Sequence, residues 1–401
     1  MQGLRSACNI SADRNCGKDF YYTNCIACLH RAIKGCIKLV LIIFFVCIFS
    51  FDSYAGELEN QYNELYSLLD IDELSELGEE NLKDYYEFDI TEPKSVWQVD
   101  GFDLIKQLIV KSISCDGSSF NIISVVLAFS VICMVTKSMV VEKYSVVTTF
   151  NIVSTLVCTL ALLIPVASLV SSVCDAIKNC CVFMSAFIPI YAGLFVATGY
   201  SITSASYTTL MFTVTQVFTY LADGLFAPLC NTALIASVGS AFNVISKKYY
   251  ELLKKAVVIT LSSSMGLFIT VLNLQTAISA PADSIGIKTV KTALGSFVPI
   301  IGSALSDSVS VLIAGAGTLK STIGVYAVIN IVVCVVPTLF NLLIWRVTVA
   351  LSAAMLELSA SEHAVNTIKC IGSVITLMIS LILCVCVAYL LSVILTLSLG
   401  G

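Results

Sequence analysis

The sequence contains little charge and almost no histidine. Charged residues make up 12% of its 401 residues, and two histidines are present. A soluble globular domain is roughly one-quarter charged, so the composition excludes that class. Histidine is the side chain most often used for proton transfer and metal binding near neutral pH. We therefore expect a protein that is not an enzyme and that carries no cofactor or metal.

Motifs for nucleotide binding, metal-dependent hydrolysis and ion-coupled transport are also missing. Neither GxxxxGK[ST] nor GxGxxG occurs, so there is no sequence for a phosphate-binding loop. Glu357, Glu362 and His363 lack the HExxH spacing and are interpreted as a solvated turn. The long apolar segments contain essentially no ionisable side chain, Asp223 lying at a boundary between two of them. Ion-coupled transporters place carboxylates or histidines inside the membrane, so this absence counts against that class.

Apolar residues, in contrast, are abundant. They make up 57% of the chain, and the mean hydropathy is +0.92, as expected of an integral membrane protein. Because a helix needs about 20 apolar residues to cross a bilayer, we predict an all-α, polytopic membrane protein with about eight transmembrane helices. The predicted spans are 119–136, 146–170, 181–200, 205–222, 224–245, 256–278, 322–345 and 370–397.

Basic residues indicate which loops face the cytoplasm. If the chain starts outside the membrane, the loops predicted inside carry eight lysines and arginines, and those predicted outside carry four. This agrees with the excess of positive charge in cytoplasmic loops. The segment 247–255 is the firmest inside marker. Residues 300–320 are predicted to be a re-entrant or interfacial helix on the outer side, because a further crossing would place Arg346 and Lys369 outside. Nowhere are basic residues dense enough to indicate nucleic-acid binding.

Residues 1–55 are predicted to be an N-terminal extension followed by a cleavable signal peptide. Arg31, Lys34 and Lys38 form a basic region, residues 39–51 are mostly apolar, and Ser53-Tyr54-Ala55 fits a cleavage signal. Four cysteines precede residue 29. They can be zinc ligands, although their one CxxC pair is weak support, or they can lie upstream of a translation start at Leu29.

Residues 56–118 are predicted to be an acidic, partly helical leader outside the membrane, followed by a membrane domain at 119–401. Between Glu57 and Asp103 there are fifteen acidic residues and two lysines. The leader can be a solvated segment that keeps the domain away from anionic lipid, or a docking arm for a basic partner. Its last part is amphipathic, with apolar residues at Phe102, Ile105, Leu108 and Ile109.

Most of the seventeen cysteines do not indicate disulfides. After residue 55 most lie in apolar runs, where a thiol behaves as a small hydrophobic group. Cys174, Cys180 and Cys181 lie near a predicted external loop and could pair there.

Uncharged polar residues in the spans can pack helices together or line a wet vestibule. They are the 262–264 serines with Gly266, the 201–206 segment, Asn330 and Asn341.

The most unusual segment is 288–324. It is apolar, yet Pro299 and several glycines interrupt it, and irregular backbone within a membrane is tolerated only where protein or a wet cavity covers it. Its second half has two faces at helical spacing. The small and polar face can be a packing seam against another helix or the lining of a passage. The apolar face is Ile301, Leu305, Val309, Leu312, Ala316 and Leu319, and the small and polar face is Ser303, Ser306, Asp307, Ser310, Ala314 and Gly317.

Several motifs in this segment resemble a known family. Lys288-Thr-Val-Lys291, Gly295-Ser-Phe297-Val-Pro299-Ile-Ile-Gly302, Ser306-Asp307 and Leu319-Lys320-Ser-Thr-Ile-Gly324 resemble the signature of stage III sporulation protein AE. The resemblance extends more loosely from about residue 31 to the C terminus. The candidate functional residues, called the signature residues below, are Lys288, Lys291, Gly295, Phe297, Pro299, Gly302, Ser306, Asp307, Lys320 and Gly324.

The resemblance implies an integral membrane component of the stage III A assembly, which would connect mother cell and forespore during endospore formation. The expected partners are the other stage III A sporulation membrane proteins, a forespore-side protein and the lipid bilayer. The expected location is the mother-cell membrane facing the forespore. The role would be that of a structural or conducting component of a channel or secretion complex. A stand-alone permease for a small neutral solute is the alternative that remains open.

Overall fold

Long apolar runs with few prolines give this chain continuous helices, because a helix satisfies its own backbone hydrogen bonds in an apolar environment. The computed structural model describes residues 101–114, 124, 128, 131, 144–241, 247–297, 302–359 and 362–398. For 111–114, 144–152, 274–297, 302–318 and a few further positions near helix ends it describes the backbone alone. Every described residue is helical apart from the turn at 198–200. The all-α class predicted from the sequence is confirmed for this part of the chain.

The described chain forms seven α-helices and one π-helical segment. They are α1 Gly101–Ser114, α2 Tyr144–Ala197, α3 Ser201–Tyr220, the π-helical segment Leu221–Phe226, α4 Ala227–Ala241, α5 Lys247–Phe297, α6 Gly302–Ser359 and α7 Glu362–Ser398.

Five helical stretches of the described chain are long and apolar enough to cross a membrane, as expected of a polytopic membrane protein. The predicted count of eight spans is not confirmed. The signal segment and most of the predicted span 119–136 lie outside the described residues. The five stretches are Thr159–Ala197, Ser201–Gly239, Lys248–Asn273, Leu319–Glu357 and Val365–Ile394.

Two pairs of predicted spans are joined in the structure. Spans 146–170 and 181–200 both belong to α2, and spans 205–222 and 224–245 are joined through the π-helical segment. The polar residues that separate the predicted spans, such as Asp175 and Asp223, do not end the helices, because their side chains lie exposed on the outside of the bundle. Each joined pair crosses the membrane once instead of twice. Because two crossings are lost in total, the loops that follow residue 245 stay on the side predicted from the sequence.

The π-helical segment lies beside the polar part of α2. Lys178 Nζ is 3.0 Å from Asp223 Oδ2, and both side chains are nearly half exposed. The backbone N–H of Ala227 donates to Ala222 O, five residues back, and Cys174 Sγ donates to the same carbonyl at 3.4 Å. The sequence predicts a loop between the two spans of each pair. The structure instead has continuous helix at both positions, and an ion pair connects them.

The predicted re-entrant or interfacial helix at 300–320 is not a separate element. α6 begins at Gly302 and continues to Ser359, a length of 58 residues, so residues 302–320 extend the helix that carries the predicted span 322–345. Glycines at 315, 317 and 324 lie within it. Each glycine weakens a helix by roughly 0.5–1 kcal/mol relative to alanine, but it keeps its backbone N–H and therefore does not end the helix.

Successive long helices run in opposite directions, so the bundle has two ends. We call the end at the 198–200 turn the tip end and the end at the 247–255 segment the lysine end. At the tip end, the 198–200 turn joins α2 to α3, and Lys320 of α6 lies over the Phe195 ring. At the lysine end, the Tyr250 hydroxyl of α5 donates to Cys370 O of α7 at 2.9 Å, and Lys369 pairs with Glu357. The eight-span order would put the 198–200 turn and the 247–255 segment on the same side of a membrane, but the structure places them at opposite ends.

The short helix α1 packs against α6. Leu104 and Leu108 are buried there, whereas Asp103 and Lys106 are exposed. The amphipathic stretch predicted at the end of the acidic leader is therefore a helix whose apolar side covers another helix. The remainder of the leader lies outside the described residues.

Candidate functional site

The signature residues lie in the last turns of α5 and the first half of α6. The α5 group is Lys288, Lys291, Gly295 and Phe297, and the early α6 group is Gly302, Ser306 and Asp307. Pro299 falls outside the described residues. Lys320 and Gly324 are the two signature residues whose side-chain surroundings are described, and both face the interior of the bundle at the tip end.

An aromatic column on α2 approaches this part of α6. Its members, Phe183, Phe187, Tyr191 and Phe195, recur every four residues, which places them on one side of the helix. Successive ring centroids are 6.3, 4.9 and 5.4 Å apart. All four side chains are buried, with at most 1% of each exposed. They fill the interior of the tip half of the bundle.

Rings from α3 and α6 hold the aromatic column in place. The centroid of Tyr207 on α3 lies 6.0 Å from that of Tyr191 and 5.7 Å from that of Phe195. The centroid of Tyr326 on α6 lies 6.1 Å from that of Phe183. Ring pairs at such distances contribute about 0.5–1.5 kcal/mol each beyond their burial. The column therefore joins three helices.

Lys320 is buried at the end of the column. Only 4% of the residue is exposed, whereas lysine is almost never this deeply buried without a compensating contact. Its Nζ lies 4.8 Å from the centroid of Phe195, within the range of cation–π attraction. Leu319 and Ile323 beside it are fully buried as well. The signature lysine thus fixes α6 against the last ring of the column.

Gly324 lies one helical turn after Lys320, where α6 meets the end of α7. A Cβ atom added to Gly324 would lie 2.7 Å from Leu397 Cδ2 and 3.1 Å from Leu397 Cγ. Any larger residue would push Leu397 away. The glycine therefore allows a close approach of two helices, as small residues commonly do between membrane helices.

A buried polar cluster ties α7 to α2 and α3. The Tyr389 hydroxyl is 3.3 Å from Cys181 Sγ and donates to Thr215 Oγ1 at 3.4 Å. Cys174, Cys180 and Cys181 are buried free thiols. The disulfide considered for them is not formed, because they lie inside α2 rather than on an external loop.

The other uncharged polar candidates differ in position. Ser262 and Ser263 are exposed on the outside of α5, and a Cβ on Gly266 would meet no atom within 4 Å. Asn330 is fully buried, and its Nδ2 donates to Tyr326 O at 3.4 Å. The Oδ1 atoms of Asn330 and Asn341 have no hydrogen-bond partner among the described residues. The serines thus face outward, whereas the asparagines face the interior.

The groups gathered at the tip end hold helices together. They supply a cation–π contact, a close helix approach and stacked rings, which are packing interactions. Across the described ranges, no group of three His, Cys, Asp or Glu residues is arranged to hold a metal ion. Glu357 pairs with Lys369, and Glu362 begins α7, so the segment interpreted as a solvated turn contains a helix start.

Sequence reasoning missed the aromatic column and the Lys178–Asp223 pair. The four-residue aromatic repeat at 183–195 is visible in the sequence and could have predicted an aromatic helix face. That this face meets Lys320 depends on contacts between residues far apart in the chain. The same holds for Lys178 and Asp223, which belong to different helices.

Comparison with known proteins identifies the family. Residues 81–400 match the sequence model of the family described as stage III sporulation protein AE (spore_III_AE). The chain belongs to this family. The matched range contains all ten signature residues, and the resemblance predicted from their motifs is confirmed.

A curated member of the family is similar over a shorter region. Stage III sporulation protein AE of Bacillus subtilis (strain 168) is 25% identical over 163 residues, which cover 40% of this chain and 41% of the relative. The similar region thus spans less than half of that relative's length. No solved structure matches the chain. Spore_III_AE is a sporulation family and not a known enzyme family, and its member here has the helices of a membrane protein.

Proposed function

We propose that this chain is an integral membrane subunit of the stage III A complex, which spans the space between mother cell and forespore and is needed for endospore development. The family match over residues 81–400 carries the proposal. The subunit would lie in the mother-cell membrane facing the forespore. Its partners would be the other stage III A membrane proteins and a forespore-side protein.

The packed interior favours a structural subunit over a stand-alone permease. The aromatic column fills the tip half together with Tyr207, Tyr326 and Tyr389, whose side chains are also fully buried. A solute path along the axis of this chain alone would have to displace these rings. A conduit formed between several subunits would leave them in place.

The outer surface of α2 and α3 supports assembly with other subunits. Ser171, Ser172 and Asp175 on α2 and Thr213 and Gln216 on α3 are exposed. Charged and amide groups are unfavourable in contact with hydrocarbon, so this surface suits water or another protein. We include in the proposed assembly surface the signature residues of α5 and early α6, whereas Lys320 and Gly324 face the interior of the bundle.

Co-purification from sporulating cells tests this proposal. We expect the tagged full chain to bring down other stage III A proteins, and deletion of its gene to abolish heat-resistant spores. A tagged membrane protein of the same cells that has no sporulation role is the control. The permease alternative requires the purified chain alone to move a neutral solute into liposomes. Solute movement together with isolation free of stage III A proteins would overturn the proposal.

A further inference from the structure

A charged pocket opens between α6 and α7 at the lysine end, far from the signature residues. Its volume is about 360 Å³, within the range of about 300–1,000 Å³ typical of ligand sites. The polar groups lining it are Arg346 and Glu357 from α6 and Lys369 and Ser373 from α7. The pocket therefore combines donors for an anion with a size suited to a small ligand or headgroup.

Arg346 gives the pocket a positive charge that is not neutralised within the described chain. Its Nε donates to Thr376 Oγ1 at 3.1 Å, and a guanidinium carries five N–H donors in all. Of the described carboxylates, Glu357 is the one that lines the pocket, and it pairs with Lys369. Two cations thus face one carboxylate.

Gly372 makes room for the Arg346 guanidinium. A Cβ on Gly372 would lie 3.2 Å from Arg346 Nη1 and 3.2 Å from Val349 Cγ1. The guanidinium therefore crosses α7 at the level of Gly372, three residues from Lys369. Both cationic side chains thus line the same pocket.

The outer surface around the pocket is apolar. Ala350 and Ala354 line the pocket and are themselves exposed, and Val347 beside them is 66% exposed. Elsewhere between the lysine end and the Lys178–Asp223 pair, Ile164 and Ile259 are 71% and 64% exposed. An outer surface of this kind suits lipid chains. The lysines at 247–255 predict that this end is cytoplasmic, where basic pockets between membrane helices bind anionic headgroups.

We propose that this pocket binds a phosphate-bearing anion, with Arg346 as its main cation and Lys369 as a further donor. The shared chemistry is the phosphate group, which can come from an anionic phospholipid or from free phosphate. The apolar surroundings favour the phospholipid, because acyl chains can lie along Val347 while the headgroup enters between α6 and α7.

Lipid binding to the purified full chain in detergent tests the proposal. Native mass spectrometry would compare phosphatidylglycerol with diacylglycerol of the same acyl chains, which lacks the phosphate, and we expect preferential binding of phosphatidylglycerol. In a second arm, inorganic phosphate is added as competitor. Displacement of the lipid by millimolar phosphate would identify free phosphate as a sufficient ligand, and failure to displace it would identify the phospholipid headgroup. Equal binding of the two lipids, with no effect of phosphate, would overturn the proposal.

Variants of the pocket locate the site. Arg346→Gln should weaken phosphatidylglycerol binding about 10- to 100-fold, the usual effect of losing charged hydrogen bonds. Arg346→Lys should weaken it less, because it keeps the charge but loses the planar fork. Glu357→Gln should strengthen binding, because it removes a negative charge and releases Lys369. Lys254→Gln removes a charge from the same end, outside the pocket lining, and is the matched control.

Two results would contradict the proposed location. One is a folded Arg346→Gln protein with unchanged lipid affinity. The other is unchanged or weaker affinity in Glu357→Gln, which remains informative if Arg346→Gln does not fold. An equal loss in Lys254→Gln would mean that the charge of this end, rather than the pocket, attracts the lipid.

Discussion

At the scale of single residues, glycines in this bundle have very different surroundings. Gly324 faces Leu397, which would lie 2.7 Å from an added Cβ, whereas at Gly266 an added Cβ would meet nothing within 4 Å. Both residues lie inside long helices, and Gly324 is also a signature residue. Helix propensity alone would favour alanine at each position. The surroundings therefore decide whether a substitution stabilises or destabilises the protein.

We expect Gly324→Ala and Gly266→Ala to have opposite effects. Gly324→Ala forces the half-buried Leu397 side chain to move and should destabilise the protein by about 1 kcal/mol, the low end of the usual cost of added bulk, because this side chain lies near the end of α7 and can shift. Gly266→Ala should be neutral or stabilise by up to about 1 kcal/mol, because it restricts the unfolded chain at a site with open space. Thermal unfolding in detergent measures both changes. Equal destabilisation would mean that the Leu397 contact is not what Gly324 provides.

At the scale of elements, α2 carries the main packing surface of the tip half. Its aromatic column contacts α3 through Tyr207 and α6 through Tyr326. α2 continues through Pro165 and Pro189, although proline inside a helix removes a hydrogen bond and usually bends it. Contacts with α3, α6 and α7 along its length support its continuity despite these prolines.

Removing one ring from the column should be costly. Phe187→Ala takes away a fully buried ring 4.9 Å from the Tyr191 centroid and should destabilise the protein by about 3–5 kcal/mol, the usual cost of truncating a core aromatic residue. Phe212→Ala on α3 removes the same side chain where it is 37% exposed and should cost clearly less. The thermal midpoints of both variants, compared in detergent, check the difference. Similar losses in the two variants would show that the column does not dominate the packing.

At the scale of the whole molecule, helices of 39 residues are about 58 Å long at 1.5 Å per residue. The hydrocarbon core of a bilayer is about 30 Å thick, so these helices extend beyond it. The exposed apolar residues Ile164, Ile259 and Val347 lie between the Lys178–Asp223 pair and the lysine end. Exposed apolar residues also occur toward the tip end, where Val196 is 54% and Leu267 is 68% exposed, so they do not single out one half. The lysines at 247–255 predict that the lysine end is cytoplasmic, and we expect the tip end to lie on the outer side.

Cysteine labelling of intact cells tests this orientation. On a background without accessible native cysteines, we expect Cys at position 201, at the tip end, to react with an impermeant thiol reagent from outside. Cys at position 255, near the lysine end, should react only after permeabilisation. Position 85 in the acidic leader should behave like 201. Labelling of 201 and 255 from the same side would support the eight-span order instead.

The sequence by itself determined the class of the protein. Long apolar runs predict membrane helices, and the low content of charge is atypical of a soluble globular domain. The motifs at 288–324 identified the family, because a family signature is a property of the sequence. These inferences depend on composition and on residues that are neighbours in the chain. Both can be read from the linear sequence without the fold.

Only the tertiary structure decided which predicted spans form one continuous helix in the described chain and what Lys320 and Gly324 contact. Asp175, Lys178 and Asp223 resemble loop residues in the sequence, but the ion pair between Lys178 and Asp223 lies on continuous helices. Lys320 meets Phe195, and Gly324 meets Leu397. The physical reason is that the free energy of a charge or a glycine in a helix depends on what packs beside it, and those neighbours come from distant parts of the chain.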